Sequence, residues 1–438
     1  MFEALYTADE MRAAEQGHDI DAMMERAGRA VAEAVLRRYP DARRIGAVCG
    51  KGANGGDGRI ALRLLSEAGR ETSEEVEGVD VVIDALFGTG FHGAPRDDAA
   101  QLIERINESG APVVAVDLPS GVDASTGEIA GAAVQADVTV TMHACKVGLA
   151  VAPGRFRAGD LEVADIGIEQ GETRHRLVTE EILRLVPRKR PQDTKYSAGA
   201  VLVVGGAPGL TGAVCLAAEA AFRADAGYVA VAAPAASLPV VEARLLEAVK
   251  APLERVEEVA QRASALAIGP GLGRGDEAHT LVRRLLAELE LPAVVDADAL
   301  HGLEPADWPA PRVLTPHSGE LARLLGRESA WVDAHRLEAV QQAAETFRCV
   351  VLLKGADTLV AAPREGALVS ASGTPALAVA GTGDVLTGII AAFLAKGVDA
   401  RLAAAAAAFA HGRAAELVPH RRGVIASDLI AVLPEALA

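Results

Sequence analysis

Cysteine is scarce and scattered in this sequence. The four, Cys49, Cys145, Cys215 and Cys349, form no CxxC pair, which leaves no zinc-site spacing or disulfide framework and fits a reducing cytoplasm. Positive charge is also in deficit, with 43 Lys and Arg against 60 Asp and Glu and a net charge of −17. A general nucleic-acid binder needs a basic face to neutralise phosphates, so that class is disfavoured, although a local basic patch is not excluded. The opening "MFEALYTADEMRAAEQ" lacks a basic segment followed by an apolar core, and no signal peptide is expected. Long apolar runs are missing as well. The stretch "LAAAAAAFA" at 402–410 is too short and too weakly hydrophobic to span a membrane. The expectation is a soluble protein with neither membrane nor nucleic-acid partners.

What is present is an α/β pattern. Half the residues are hydrophobic, 44 are Gly and only 3% are aromatic. The apolar runs are rich in Val, Ile and Leu and alternate with Ala-rich amphipathic stretches. In the first half, strand-like runs at 44–50, 79–88, 111–121 and 136–142 alternate with helical patterns at 58–69 and near 96–109. Such near-continuous apolar strands imply a parallel sheet covered on both faces. After Gly171 the charged, Pro-containing "ETRHRLVTEEILRLVPRKRPQDTKYSAG" reads as a domain junction. Strand-like runs then resume at 199–206, 227–234, 265–271, 292–298, 312–317 and 349–355, with no obvious repeat of the first half. Two α/β domains are expected, with ligand sites where strands feed into loops.

Three strand ends in the first half carry polar residues. "CGKGANGGDGRIALRLL" (49–65) reads as strand, Gly-rich loop and helix, with Asn54 and Asp57 as its polar side chains. It is no P-loop, because Lys51 stands near the start of the loop rather than before a Ser or Thr at its end, and it lacks the GxGxxG order. "DALFGTGFHGA" (84–94) adds Asp84, and "DLPSGVD" (117–123) adds Asp117, Ser120 and Asp123. The oxygens of Asn54, Asp84 and Ser120 suit a hard cation such as K⁺, and no His/Cys set suggests zinc. Taken singly, the glycines read either as a loop that exposes successive N–H groups to a ligand or as a tight strand-to-helix turn.

Late in the second half comes "AVAGTGDVLTGIIAAF" (378–393). Val385, Ile389 and Phe393, with Leu386, Ile390 and Leu394 one step on, describe a buried helix beginning near Gly383. Its mouth offers free N–H groups and partial positive charge to an anion. Asp384 reads there either as a chemical group or as an N-terminal cap. Ahead of it come "VLVVGGAPGLTGA" (201–213), "AIGPGLGR" (267–274), "VVDADAL" (294–300), "VLTPHSGELARLLG" (313–326) and "VVLLKGADTLV" (350–360). Lys354 reads alone as a strand-end lysine and His317 as a locally bonded helix-entry residue. Asp296 and Asp298 stay open between capping and chemistry.

Two resemblances arise from these segments. "MERAGRAVAEAV", "GKGANGGDG", "DALFGTGFHG" and "VDLPSGVDASTG" resemble the NAD(P)H-hydrate epimerase family over residues 1–170. The ordered series of the second half resembles the ribokinase-like superfamily. Within it, "TPHSGE" and "LKGADT" resemble the ADP- or ATP-dependent NAD(P)H-hydrate dehydratases, over 176–438. The implied fold is a Rossmann-like three-layer α/β domain followed by a ribokinase-like α/β domain.

The implied activity is repair of hydrated NADH and NADPH. The first domain would epimerise the hydrate, and the second would dehydrate the S form with ADP, accompanied by Mg²⁺. Carried over by position, Asn54, Asp84 and Ser120 would hold K⁺. Ala53, Asn54, Gly55, Gly56, Asp57, Gly88, Thr89, Gly90, Phe91, His92, Gly93, Ala94 and Asp117 would contact the hydrated dinucleotide in the first domain. In the second, Gly271, Gly273, His317 and Asp384 would contact it, with Asp384 as catalytic base, while Lys354, Gly355, Ala356, Asp357, Thr358 and Gly383 would bind ADP. A cytoplasmic homo-oligomer acting on small molecules is expected.

The chain departs from the family pattern twice. Ala53 stands where the family has a first Asn, and the stretch 70–78 is too short for the extra strand and helix the family inserts there. A vitamin or sugar kinase with an inactive first domain, and a nucleotide-sensing module, are the rival readings.

Overall fold

The computed structural model describes residues Met1–Ala438. The chain forms two compact units. One comprises Ala4–Arg176 with Asp333–His335, and the other Met1–Glu3, Leu177–Val332 and Arg336–Ala438.

In the N-terminal unit six strands run in the order Glu71–Ser73, Arg44–Cys49, Val81–Ala85, Val113–Val116, Val138–Met142, Asp160–Ala164. All neighbours are parallel. Alternation along each strand builds two cores. Ile45, Ala47 and Ile83 pack with Val31, Val35 and Leu65 of the helices Ile20–Arg38 and Ala53–Glu67, whereas Val48 and Val82 face Ile103 and Ile106 of Asp97–Glu108. This is the three-layer Rossmann-like arrangement. Strand order reverses around Arg44–Cys49, which pairs with Glu71–Ser73 on one side and Val81–Ala85 on the other. A crevice is expected at the carboxyl ends of strands flanking such a reversal. The short stretch at 70–78 supplies a three-residue edge strand and no helix.

One boundary differs from the sequence reading. The helix expected from residue 58 begins at Ala53, so the 53–57 segment is its first turn and not a loop. Close packing is the reason, because a Cβ on Gly55 would lie 1.9 Å from the Gly50 carbonyl oxygen. The glycines let the helix press against the strand it follows.

Nine strands of the larger sheet lie wholly in the C-terminal unit, in the order Leu368–Ser370, Thr358–Ala361, Val350–Leu353, Arg312–Leu314, Ala293–Val295, Ala265–Ile268, Ala200–Val204, Tyr228–Ala233, Val249–Pro252. The strands from Val350–Leu353 to Val249–Pro252 are parallel. Val350–Leu353 turns back on Thr358–Ala361 as an antiparallel hairpin, so residues 354–357 form its turn. Helix Thr382–Ala395 is apolar on nearly every side because it lies between the sheet and the helices Thr211–Arg223 and Ala400–Leu417. The alanines of 402–410 belong to that last helix, where small side chains permit close approach. No helix is long and apolar enough to cross a membrane.

Candidate active sites

A cavity of about 1200 Å³ opens at the reversal in the N-terminal sheet. Ala53, Asn54 and Asp57 line it from the first turn of Ala53–Glu67, Gly88, Thr89, Gly90, Phe91, His92 and Ala94 from the loop after Val81–Ala85, and Asp117 from the next strand end. Gly55, Gly56 and Gly93 do not line it; a Cβ on Gly56 would instead meet Met24 at 2.2 Å. The helix mouth has Gly52 as its N-cap and no side-chain cap, so its N–H groups remain available to an anion.

Beneath the cavity Asp84 is fully buried. It accepts from Ser120 N at 2.7 Å, Ser120 Oγ at 2.6 Å and Leu86 N at 3.3 Å. Burial raises its pKa to about 6, opposed by the Ser120 and Leu86 hydrogen bonds. Asn54 Nδ2 donates to the Phe87 carbonyl at 2.8 Å, and Phe87 N donates to Ser120 Oγ at 2.9 Å. The three candidate cation ligands are therefore tied into one network. A buried carboxylate among oxygen donors, with no protein cation against it, fits a hard cation.

Asp117, at φ 67°, accepts at Oδ1 from Lys146 Nζ at 2.5 Å and Met142 N at 3.1 Å. Lys146 also donates to Met142 O at 2.6 Å and Thr141 Oγ1 at 3.1 Å, and its side chain is 0% exposed. Asp57 has one buried oxygen without a partner. Burial, then the charges of Asp117 and Glu15, push its pKa up to about 8. Lys146 and Glu15 were not among the residues singled out from sequence. Lys146 lies in the segment between strand Val138–Met142 and the short helix Val147–Ala150, where no motif marks it in the sequence.

In the C-terminal unit, helix Thr382–Ala395 starts behind Gly381, which has φ 92° and no side chain to cap with. Asp384 is the third residue of the helix and is not its cap. Lys354 Nζ lies 3.5 Å from where a Cβ on Gly383 would stand, at the same mouth. It donates to Asp296 Oδ1 at 2.8 Å and lies 3.8 Å from Glu320. Burial opposes its charge, but the carboxylates of Asp296 and Glu320 outweigh it and raise its pKa. Burial and the Asp296 charge push Asp384 up to about 7, with Lys354 pulling the other way.

The two aspartates left open are tertiary links. Asp296 also accepts from Thr387 Oγ1 at 2.8 Å, and Asp298 accepts from Gly273 N at 3.0 Å and Arg274 Nε at 2.8 Å. Asp298 thereby holds the loop carrying Gly271 and Gly273, both at positive φ. His317 is the N-cap of Ser318–Leu325, accepting at Nδ1 from Gly319 N at 3.0 Å, while Glu320 accepts from its backbone N at 2.9 Å. Its ring is otherwise more than half exposed. Gly355 and Thr358 sit at the hairpin turn, where Thr358 Oγ1 donates to Gly355 O at 3.4 Å, Ala356 lies between them, and Asp357 is buried against Arg336. Sequence reasoning missed Arg336, Glu320 and Thr387.

A family profile described as NAD(P)H-hydrate dehydratase matches residues 201–435, and one described as YjeF-related protein N-terminus matches 20–72 and 69–148. The bifunctional NAD(P)H-hydrate repair enzyme Nnr of Moorella thermoacetica is 40% identical over 95% of this chain and 92% of its own. The chain belongs to the NAD(P)H-hydrate repair enzyme family. The Escherichia coli K12 member is 34% identical over 98% of this chain and 93% of its own. Among solved structures, the ADP/ATP-dependent NAD(P)H-hydrate dehydratase of Bacillus subtilis, co-crystallised with ATP/Mg²⁺, is similar with a TM-score of 0.55 and 30% identity, covering 59% of this chain and 96% of that one. The second domain of this family member thus has the ribokinase-like fold.

Proposed function

We propose that the N-terminal unit interconverts the R and S epimers of hydrated NADH and NADPH, and that the C-terminal unit dehydrates the S epimer at the expense of ADP. The observation that carries this reading is Asp384 in the first turn of a helix whose glycine-lined, uncapped mouth it shares with Lys354. Asp384 accepts the proton of the hydrate's hydroxyl as that oxygen takes the terminal phosphoryl group. Backbone N–H groups at 381–383 and the Lys354 ammonium carry the charge on the phosphoryl oxygens. The ring nitrogen's electron pair then expels phosphate with the C–O electrons, and loss of a ring proton restores the dihydropyridine. His317, Gly271 and Gly273 face the hydrate in this reading, and residues 354–358 with Gly383 take the nucleotide and its Mg²⁺.

In the N-terminal cavity the hydroxyl must leave and return on the opposite face. Asp57, kept protonated near neutral pH, supplies and recovers that proton, and Asp117 contacts the ring. Asn54, Asp84 and Ser120 would hold K⁺, whose charge compensates the buried carboxylate. The four free cysteines suit a cytoplasmic setting, and a homo-oligomer is part of the same reading, checked by light scattering.

The deciding assay follows the near-ultraviolet absorbance of reduced nicotinamide from mixed epimers, with ADP and then ATP. Recovery of both epimers is expected. Recovery that stops at the S fraction would leave only the dehydratase. A stable phosphate ester would make the second domain a kinase.

A further inference from the structure

Arg336 opens the helix Arg336–Phe347, and its guanidinium is buried. Nε lies 2.9 Å from Asp357 Oδ1 and 3.1 Å from Oδ2. Nη2 donates to the Asp357 carbonyl at 2.9 Å and the Lys354 carbonyl at 3.4 Å, while Nη1 donates to Ser318 Oγ at 3.4 Å. One planar group thus bonds both ends of the hairpin turn and the first residue of the helix that His317 caps. A buried ion pair adds little net stability over a packed apolar pair, so the fork's geometry is the more telling property. Gly355 supplies a second observation, because a Cβ there would stand 2.3 Å from Nη2 and 2.9 Å from Cζ. Its φ is not in the left-handed region, so backbone conformation does not demand glycine.

We propose that Arg336 is a positioning residue whose guanidinium sets the 354–358 turn in its nucleotide-receiving shape, and that residue 355 is glycine because that guanidinium fills the space of a side chain. The proposal rests on reading that turn as the nucleotide site. It goes beyond that reading by naming a buried residue behind the turn. Lysine in place of Arg336 keeps the charge but not the fork.

Calorimetric titration of the full-length protein with ADP and Mg²⁺ tests both ideas separately. Arg336→Lys and Gly355→Ala should each weaken ADP binding by roughly 10- to 100-fold, the scale of an ångström of misplacement. Epimerase activity should be unchanged in both. In the Arg336→Lys background a methyl at 355 no longer meets the fork, so Gly355→Ala should add no more than about a factor of two. Losses that multiply in the double variant would overturn the proposal, as would unchanged ADP affinity in either single variant. If Arg336→Lys fails to fold, Arg336→Gln, a planar side chain that can still bond the Asp357 carbonyl but has no fork, takes its place in the same cycle with the same expected and overturning results. If the unaltered protein binds neither ADP nor ATP, the nucleotide reading falls and the proposal with it.

Discussion

The helix mouths at Ala53 and Thr382 are built alike and tuned apart. Each follows a glycine that offers no side-chain cap, each holds an aspartate within its first turns, and each has a lysine at the same site. At the first mouth the lysine is sealed and its hydrogen bonds are spent on Asp117, Thr141 and Met142. Asp57 therefore feels burial and two further carboxylates, and rises to about 8. At the second, Lys354 keeps a 22% exposed side chain, and its charge only partly offsets the burial and the Asp296 charge that push Asp384 up to about 7. In the proposed reading, a phosphoryl group is met by a partly exposed cation although that cation also pairs with Asp296, and departure of a hydroxyl is met by a proton donor.

The largest effect should come from Asp384→Asn. A positioned general base contributes ~10²- to 10⁴-fold, so dehydratase kcat should fall by about that much while ADP affinity persists. In the unaltered protein the base is protonated below about 7, so kcat should drop as pH falls through that value. Stability should move in the opposite direction. A carboxylate whose folded pKa is raised costs stability at pH above that pKa, and the cost fades as pH falls toward the unfolded value of 3.8. Asp384→Asn should therefore raise the melting temperature at pH 8 and change it little near pH 4. Wild-type-like dehydration would remove Asp384 from the mechanism and dissolve the contrast between the two mouths.

Next in size is Lys146→Met, which leaves the buried Asp117 carboxylate without its cation. Breaking such a pair costs about 3–5 kcal/mol, and urea unfolding should show that loss in the N-terminal unit while dehydratase activity survives. A loss below ~1 kcal/mol would mean that Lys146 is no more committed than a surface lysine.

Asp84 should give a smaller effect, and one that K⁺ reveals. Asp84→Asn should lower epimerase activity roughly tenfold, hydrogen bonds to charged groups being worth ~1.5–3 kcal/mol. Added K⁺ should raise the melting temperature of the unaltered protein above pH 6, where Asp84 is ionised, and not that of the variant. A variant that still responds to K⁺ places the cation elsewhere.

The central strands of both sheets are legible in the sequence because they are apolar runs buried on both sides. The edge strands are not: "ETS" at Glu71–Ser73 and "DLEVA" at Asp160–Ala164 are short and charged, as exposed edges tend to be. The start of Ala53–Glu67 was obscured by glycines whose purpose is contact with Gly50, a tertiary fact. Motif residues such as Asp384 and Lys354 could be singled out because their neighbours in sequence mark them, and the structure brings the two to one helix mouth. Lys146 and Arg336 could not, because what distinguishes them is burial against partners 29 and 21 residues away, Asp117 and Asp357.

Ala53 offers the finest comparison, between this chain and the family pattern it departs from. It is the first residue of the helix, faces the cavity and is exposed, so a larger side chain meets solvent and not packed atoms. Asn at this position would add one amide able to bond the dinucleotide, worth ~0.5–1.5 kcal/mol when made to a neutral group. Its helix propensity is lower than that of Ala by a fraction of a kcal/mol, and Gly52 still serves as N-cap. Ala53→Asn should therefore lower the KM of the epimerase for the hydrate by about two- to tenfold with kcat unchanged, the sign of a contact made equally in ground and transition states. A KM that does not move would mean that the backbone N–H groups of the helix mouth hold the dinucleotide there, and that the family's first Asn adds nothing in this cavity.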